Sequence, residues 1–235
     1  MTAGTKSILG LFAHPDDETF ICGGTLAHYA KRDASVAVVS ATRGEMGRRM
    51  GYPPRITRES MPRIREEELR EACRRLGIEA PIFLGIRDKT VEYEDRPALV
   101  ARLAAIIQER RPDVVLTFHP AWGGHPDHCA IGEAARSAVE TFGADGPALL
   151  YISFGDPLRH AEWAASLAAA DVVRVDVRDS LREKLNAFRA HRSQTEMDSW
   201  LWEAGKDAVR RFKAYEYFVV DRSLPGRELP EWFGA

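Results

Sequence analysis

The sequence decides its fold at residues 7–18, SILGLFAHPDDE, where a short and mostly apolar run leads directly into a polar segment. The run Ser7–Ala13 has the length and composition of a buried strand, and the Val-rich run Ala34–Ala41 has the same character. Between these runs, Gly23–Arg32 has a composition compatible with a helix. Strand, polar loop, helix and strand in this order predict a βαβ unit and therefore a parallel sheet.

Helical periods and short apolar runs continue to alternate along the rest of the chain. In Arg63–Leu76 apolar residues recur at helical spacing, and Gly77 is placed as a helix stop. Further strands are predicted at Pro81–Leu84, Val114–Phe118, Ala148–Phe154, Val172–Val177 and Tyr215–Val220, and further helices at Pro97–Arg110, through Ile131–Ala138 and at Leu181–Ala190. Because no repeat or Gly/Ser linker interrupts this alternation, we predict a single α/β domain over residues 1–235.

Composition and charge exclude several classes of protein. With 45% hydrophobic and 29% charged residues, the 235-residue chain has the composition of a folded protein. Its 33 basic and 35 acidic residues leave a formal net charge of -2, so we predict neither nucleic acid nor a membrane surface as a partner. Three cysteines, an odd number, argue against a disulfide framework, and the first apolar run is too short for a signal peptide. These features predict a cytoplasmic protein.

Two polar segments follow strand-like runs, where α/β sheets build their sites: residues 14–18, HPDDE, and residues 125–128, HPDH. Zinc binds imidazole nitrogen and carboxylate oxygen, and a hydrolytic zinc site has three protein ligands with the fourth position left to water. His14, Asp17 and His128 could supply these three ligands. The remaining acidic and imidazole side chains are then candidates for moving protons and for stabilising an oxyanion.

Each segment alone is also compatible with a structural role. A lone histidine is usually a packed or surface residue, and adjacent aspartates at a helix start often serve only as an N-cap. The two segments together, each after a strand-like run of one α/β chain, are far more specific to a metal site.

The motifs Ala-His-Pro-Asp-Asp-Glu and His-Pro-Asp-His make this sequence resemble the PIG-L/LmbE-like zinc-dependent N-deacetylases. The resemblance extends over most of the chain, through TRGE at 42–45, the start of a helix at 65–69 and the segment 184–194. Within that family the sequence is most similar to the bacillithiol-biosynthesis deacetylases, through GEMGR at 44–48, TRES at 57–60 and LGIRDKT at 84–90.

The resemblance implies a Rossmann-like, mostly parallel sheet with helices on both faces. It also implies that His14, Asp17 and His128 hold Zn2+, with other divalent metals as alternatives. Asp16 would be the general base, and His125 would stabilise the transition state.

Further roles follow from the same resemblance. Asp127 would orient an imidazole, a role that also fits the chemistry of metal sites. Glu45, Arg65 and Asp88 match positions that contact the sugar substrate. Some relatives carry a tyrosine where this chain has Gly123, so the metal and His125 would carry more of the oxyanion stabilisation.

The function implied is removal of acetyl from the 2-acetamido group of an N-acetylglucosamine conjugate, with N-acetylglucosaminyl malate of bacillithiol biosynthesis as the leading substrate. The family also suggests a homo-oligomer. Alternatives within the class are the deacetylation of another amino sugar and the cleavage of thiol S-conjugates. A non-catalytic nucleotide-binding module is an alternative from another class, but no Gly-x-Gly-x-x-Gly follows the first strand.

Residues 43–75 contain ten arginines against six glutamates. Most of these arginines are expected on a solvated helix, in pairs such as Glu71 with Arg75. Arg65 is the exception and is predicted to make a charged contact with the substrate, either to an aglycone carboxylate or to sugar hydroxyls. The sequence leaves open whether His191 lines the pocket or is buried in a structural hydrogen bond, and Cys22 is expected to be no ligand.

Overall fold

The structure is a computed structural model that describes residues 6–48, 50–51, 53–159, 165–168, 171–202, 207–224 and 228–234. The strands of the described part are β1 (Ser7–Phe12), β2 (Ser35–Thr42), β3 (Ile82–Ile86), β4 (Val114–Thr117), β5 (Ala148–Ser153), β6 (Val172–Asp176) and β7 (Tyr215–Val220). The helices of the described part are α1 (Asp17–Ala30), α2 (Met61–Leu76), α3 (Arg96–Arg110), α4 (Pro126–Glu140), α5 (Leu181–Ala190), α6 (Arg192–Thr195) and α7 (Asp207–Arg210).

The strands form one seven-stranded sheet in the order β3-β2-β1-β4-β5-β7-β6. Strands β1 to β5 pair in parallel, whereas β7 is antiparallel to both β5 and β6. The chain moves outward from β1 to β3 and then crosses to β4 on the other side of β1. The carboxyl ends of β1 and β4 therefore form a topological switch point, where open α/β sheets bind their ligands. The predicted α/β class with a mostly parallel sheet is confirmed.

Both polar motifs were predicted as loops that follow strands. In the structure the second part of each motif already belongs to a helix. Helix α1 begins at Asp17, six residues before the predicted start at Gly23, and α4 begins at Pro126. Acidic side chains in a first turn interact favourably with the helix dipole, and proline fits the first helical position. Most other boundaries agree with the prediction to within two residues.

Helix α1 is kinked at Cys22, whose φ of -126° and ψ of 16° are not helical. Beyond the kink, the N–H groups of Gly24 and Thr25 donate to the two carboxylate oxygens of Glu216, at 3.0 and 2.7 Å. The Lys184 ammonium lies 2.5 Å from Glu216 Oε1 and 3.5 Å from the carbonyl of Ile21. Lys184 and Glu216, with the α1 groups that they contact, are called the kink cluster below. The cluster supplies the hydrogen bonds that the kinked helix cannot make within itself.

The core lies on both faces of the sheet. The parallel strands read as nearly continuous apolar runs because both of their faces are covered, and Val114, Val115 and Leu116 are fully buried. Helices α1, α2 and α5 pack against one another in one layer, and α3 packs against α4 in the other. Among the described helices, none has the length and apolar composition that crossing a membrane requires. The single sheet supports the one-domain interpretation, which stays a prediction.

Candidate metal centre and active site

The two motifs meet at the switch point, because β1 and β4 are neighbours in the sheet. The ring atoms His14 Nδ1 and His128 Nε2 lie 3.2 Å apart. The Asp17 carboxylate lies beside both, with Oδ1 3.3 Å from His128 Nε2 and Oδ2 3.6 Å from His14 Nδ1. The three predicted ligands are thus brought together, and they form one of two groups in the described residues that could hold a metal ion.

These distances fit a tetrahedral ion. Zinc bonds of about 2.0–2.2 Å, directed to the corners of a tetrahedron, separate the ligand atoms by about 3.3–3.6 Å. The two ring nitrogens, 3.2 Å apart, and Asp17 Oδ1, 3.3 Å from His128 Nε2, are close to this spacing. The other Asp17 oxygen, Oδ2, lies 3.6 Å from His14 Nδ1. Two ring nitrogens and a carboxylate that face one another at such distances are a donor set suited to a divalent cation.

The second nitrogen of each ring is already bound within the protein. His14 Nε2 lies 3.2 Å from Asp127 Oδ2 and 3.2 Å from Asp88 Oδ1, so it carries the proton and Nδ1 presents a lone pair. His128 Nδ1 lies 2.9 Å from the Gly123 carbonyl, to which it donates, so Nε2 presents the lone pair. Carboxylate and carbonyl partners of this kind fix the orientation of metal-binding imidazoles.

Gly123 owes its identity to this packing. A Cβ atom at position 123 would lie 2.9 Å from the Cβ of His128 and 3.0 Å from the backbone nitrogen of Cys129. A tyrosine here would require the loop to move away from α4, and the carbonyl that orients His128 would move with it. The close approach of loop and helix therefore explains why this chain has glycine at 123.

The second possible metal group, His14, His125 and Asp127, fits an ion less well. Both Asp127 oxygens already accept backbone N–H groups, Oδ2 from Lys89 at 2.7 Å and Oδ1 from Val91 at 3.2 Å. His125 Nδ1 accepts the N–H of Asp127 at 3.1 Å. Asp127 is thus placed to orient His14, which supports the role predicted for it.

Asp16, the predicted base, stands at the edge of this donor set in a strained backbone conformation. Its φ of 126° and ψ of -23° lie in a region that side chains other than glycine rarely adopt. Arg65 Nη2 donates to Asp16 Oδ2 at 2.8 Å. Burial raises the pKa of Asp16 to about 6, although the Arg65 guanidinium acts to lower it. A carboxylate with a pKa near neutrality is suited to accept and return a proton.

The neighbouring carboxylate has the opposite behaviour. Burial would raise the pKa of Asp17, but His128 and His14 hold it far below its ordinary value. Asp17 Oδ2 also accepts the backbone N–H groups of His14, at 2.8 Å, and of Ala13, at 3.2 Å. Two adjacent aspartates therefore differ in chemistry: Asp17 stays ionised, as a ligand must, whereas Asp16 can titrate.

His125 is placed as a hydrogen-bond donor toward the pocket. Its Nδ1 caps α4 by accepting the N–H of Asp127, so in the neutral ring Nε2 carries the proton. Burial, followed by the nearby His14 and His128, lowers the pKa of His125. A neutral imidazole with Nε2–H exposed to the pocket can donate to a carbonyl oxygen that becomes negative.

A pocket of about 290 Å³ opens beside these groups. Its described lining consists of His14, Asp16, Met46, Gly47, Arg48, Arg65, Asp88, Lys89, His125, His128 and Gln194. Asp88 Oδ2 accepts the N–H of Met46 at 2.8 Å, and Glu45 Oε2 accepts the N–H of Asp88 at 3.1 Å. Glu45 and Asp88 thus join the loops after β2 and β3 at the mouth of the pocket. Their contact with substrate stays a prediction.

Arg65 borders the pocket but is buried, with 3% of its surface exposed. Its guanidinium donates to the carbonyl of Gly44 at 3.1 Å, to the carbonyl of Pro15 and to Asp16. Gly44 has a φ of 66°, and a Cβ there would lie 2.0 Å from Arg65 Nη1. The contacts of Arg65 in the structure are therefore with the protein, and its contact with substrate stays a prediction.

The structure also shows where four further residues near the site lie. His191 is fully buried and contacts Glu18, which decides the alternative left open above in favour of a buried hydrogen bond. Cys22 is buried and belongs to neither metal group, as expected. Lys89 and Gln194 line the pocket without having been predicted. Lys89 carries a weak sequence signal, since it follows Asp88 directly.

A His-Asp-His donor set beside a carboxylate that can titrate, at the switch point of such a sheet, is the kind of site that metal-dependent hydrolases have. The chain belongs to the PIG-L family, because the family model described as GlcNAc-PI de-N-acetylase matches residues 9–139. Members of this family are N-deacetylases, so this membership assigns the chain to the hydrolases that cleave acetamides.

Individual relatives agree with this assignment. The probable N-acetyl-alpha-D-glucosaminyl L-malate deacetylase 2 of Bacillus subtilis (strain 168) is 40% identical over 192 residues, covering 81% of this chain and 84% of the relative. The 1D-myo-inositol 2-acetamido-2-deoxy-alpha-D-glucopyranoside deacetylase of Mycobacterium sp. (strain KMS) is 34% identical over 96% of this chain and 87% of the relative. The N,N'-diacetylchitobiose deacetylase of Pyrococcus horikoshii shares the fold, with a TM-score of 0.68, 24% identity and coverage of 92% of this chain and 84% of that chain.

Proposed function

We propose that this protein removes the acetyl group from the 2-acetamido group of N-acetylglucosaminyl malate, as a cytoplasmic, metal-dependent step toward bacillithiol. The observation that carries the chemistry is the convergence of His14, Asp17 and His128 at tetrahedral spacing, with Asp16 and His125 lining the same pocket. The choice of substrate is supported by the 40% identity to the Bacillus subtilis relative, most of whose length the chain covers.

His14, Asp17 and His128 would hold the cation, for which we propose zinc. A divalent ion at this position would lower the pKa of water and polarise the amide carbonyl. Asp127 and Asp88 engage Nε2 of His14, which would leave Nδ1 as the atom that binds the ion.

Asp16 accepts the proton of the attacking water. The Asp16 carboxylate lines the pocket and is held in place by a hydrogen bond from Arg65, so it is a fixed acceptor for this proton. The His125 Nε2–H donates to the carbonyl oxygen as that oxygen gains charge. Protonated Asp16 then returns the proton that the departing amine needs, and acetate and free amine leave.

The aglycone would bring two carboxylates to the pocket. Arg48 and Lys89 are exposed residues of the pocket lining, and we propose that they attract these carboxylates. Arg65, whose guanidinium is engaged by Pro15, Gly44 and Asp16, would act on the sugar end and on Asp16. Glu45 and Asp88 are proposed to contact sugar hydroxyls from the loops that they join.

The test is release of the free amine from N-acetylglucosaminyl malate, from a neutral N-acetylglucosaminide and from an S-conjugate of a thiol, each with purified, metal-loaded protein. We expect the malate conjugate to give the highest kcat/KM, and Asp16→Asn to abolish most of the release as a control against contaminating enzymes. Preference for the S-conjugate would instead favour the amidase alternative. Absence of free amine from every substrate would favour the non-catalytic alternative.

A further inference from the structure

A buried ion pair stands behind the metal site, formed by Glu18 of the first motif and His191 between α5 and α6. His191 is 0% exposed and Glu18 1%. His191 Nε2 lies 2.8 Å from Glu18 Oε1. Within the described residues, His191 Nδ1 has no hydrogen-bond partner, so Nε2 is the nitrogen that must donate to the carboxylate.

The other oxygen of Glu18 reaches the backbone of Asp16. Glu18 Oε2 accepts the Asp16 N–H at 3.0 Å. The carbonyl on the other end of the same peptide group belongs to Pro15, and it accepts a hydrogen bond from Arg65 Nη2. The Pro15–Asp16 peptide is therefore held from opposite sides by a carboxylate and a guanidinium.

This peptide leads into the strained residue of the site. A φ of 126° at Asp16 persists only if the surrounding contacts impose it, because the conformation is unfavourable for a residue with a Cβ. Glu18 is one of these contacts, and a buried carboxylate needs donors of its own to remain where it is. His191 is such a donor, and Thr19 Oγ1, 2.5 Å from Glu18 Oε1, is a second.

We propose that Glu18 and His191 are positioning residues that hold the backbone of Asp16 so that its carboxylate faces the reacting water. This inference rests on the role of Asp16 in the proposed function. By this inference Glu18 of the motif and His191, 173 residues further along the chain, both contribute to turnover. Neither residue lines the pocket in the described structure.

The test is a double-mutant cycle between His191→Ala and Asp16→Asn, with metal content and thermal unfolding recorded for each variant. We expect His191→Ala to lower kcat by about 10- to 100-fold, as misplacement of a catalytic group does, with KM and metal content close to wild type. In the Asp16→Asn background the same change should have little further effect, because it acts through Asp16. His191→Gln, which retains an N–H donor, should recover much of the loss.

Two results would contradict the proposal. An equal loss of kcat from His191→Ala in both backgrounds would mean that the pair does not act through Asp16, and so would an undiminished kcat in the single variant. If His191→Ala is not recovered folded, Glu18→Gln, which keeps the shape but removes one acceptor oxygen, enters the same cycle. Near-normal turnover of Asp16→Asn would instead show that Asp16 is not the base. Glu18 and His191 would then have no catalytic group to position, and both proposals would be rejected.

A matched control separates positioning from general destabilisation. Lys184→Met breaks the buried pair between Lys184 of α5 and Glu216 of β7, whose contacts with α1 are at Gly24 and Thr25 and not at Asp16. It should lower the unfolding temperature while leaving kcat per folded molecule unchanged. If Lys184→Met lowers kcat as much as His191→Ala does, the effect of His191 is only structural and the proposal fails.

Discussion

Helix α1 takes part in two buried groups of charged side chains, the kink cluster and the group at the switch point. The two groups differ in how their polar atoms are bound. In the kink cluster, Glu216 and Lys184 bind each other and the backbone of α1. At the switch point, His14, Asp17 and His128 present atoms to one another across 3.2 to 3.6 Å, while their other polar atoms are already bound. Buried charges that are satisfied within the protein need no further partner, whereas donor atoms that face one another at such distances are suited to hold an ion between them.

The largest effect should come from removing a converging lone pair. Metal content should fall in each of the variants His14→Ala, Asp17→Ala and His128→Ala, and acetate release should fall by more than about 100-fold. Residues that only orient a metal ligand cost at most about 100-fold when they are replaced. Metal analysis and acetate release on the same samples measure both. The control is His28→Asn, because His28 lies on α1 but outside both metal groups. This variant should keep the metal. Full metal occupancy in all three alanine variants would refute the ligand assignment.

The kink cluster should respond in stability and not in chemistry. Lys184→Met leaves Glu216 charged and buried without its cation, so we expect a loss of about 3–5 kcal/mol in the free energy of unfolding. Denaturant unfolding measures this loss. Lys31→Met, which removes an exposed pair with Glu183, should cost no more than about 1 kcal/mol. Equal costs for the two variants would remove the distinction between the buried and the exposed pair.

Asp16→Asn tests the catalytic side of the comparison while the ligands stay in place. The variant should keep its metal and lose about 100-fold or more in kcat, because the amide has the shape of the carboxylate but cannot take the proton. Steady-state kinetics at saturating substrate measure the loss. Asp33→Asn, at another position with positive φ that lies on the surface, is the control. Turnover close to wild type in Asp16→Asn would mean that another group is the base.

Arg65 belongs to both halves of the comparison, since its Nη groups donate to Gly44, Pro15 and Asp16, whereas its buried Nε has no partner among the described residues. Arg65→Lys keeps the charge but loses the planar fork, and should cost about 1–3 kcal/mol in kcat/KM. Because both of its Nη groups are bound to protein, we expect equal losses on the malate conjugate and on a neutral N-acetylglucosaminide. A larger loss on the malate conjugate would place Arg65 at the aglycone.

The smallest effect is expected at the rim of the pocket. Arg48→Gln should reduce kcat/KM for the malate conjugate by up to about 1 kcal/mol, the range of exposed charge pairs. The neutral N-acetylglucosaminide should be unaffected, and the difference should shrink at high salt because exposed charges are screened. A loss of the same size on both substrates would show that Arg48 does not recognise the carboxylates.

Local patterns were sufficient to predict the strands, most helices and the three residues that converge at the switch point. The place of β7 between β5 and β6 could not be predicted, because the apolar run at residues 215–220 shows that a strand exists but not which strands it pairs with. The early starts of α1 and α4 were missed because their first turns consist of the polar site residues themselves, which read as loop.

The side chains behind the site were harder to predict than the ligands. Glutamate is rarely buried, so nothing in the sequence distinguished Glu18 from a surface residue at the start of a helix. Its partner His191 is far away in the chain, and only the packing of α5 against α1 brings the two together. The substrate contact of Arg65 stays a prediction, and the carbonyl groups of Pro15 and Gly44 that surround its guanidinium are visible only in the fold.

The most direct test of the account is a metal titration of the metal-free protein, with acetate release from N-acetylglucosaminyl malate measured at each addition. Three protein ligands form a site for about one ion per chain. We therefore expect the rate to rise in proportion to added Zn2+ and to reach its plateau at about one equivalent, and we expect no such rise in His128→Ala. A full rate in the metal-free protein, or a rise in His128→Ala equal to that of the wild type, would contradict it.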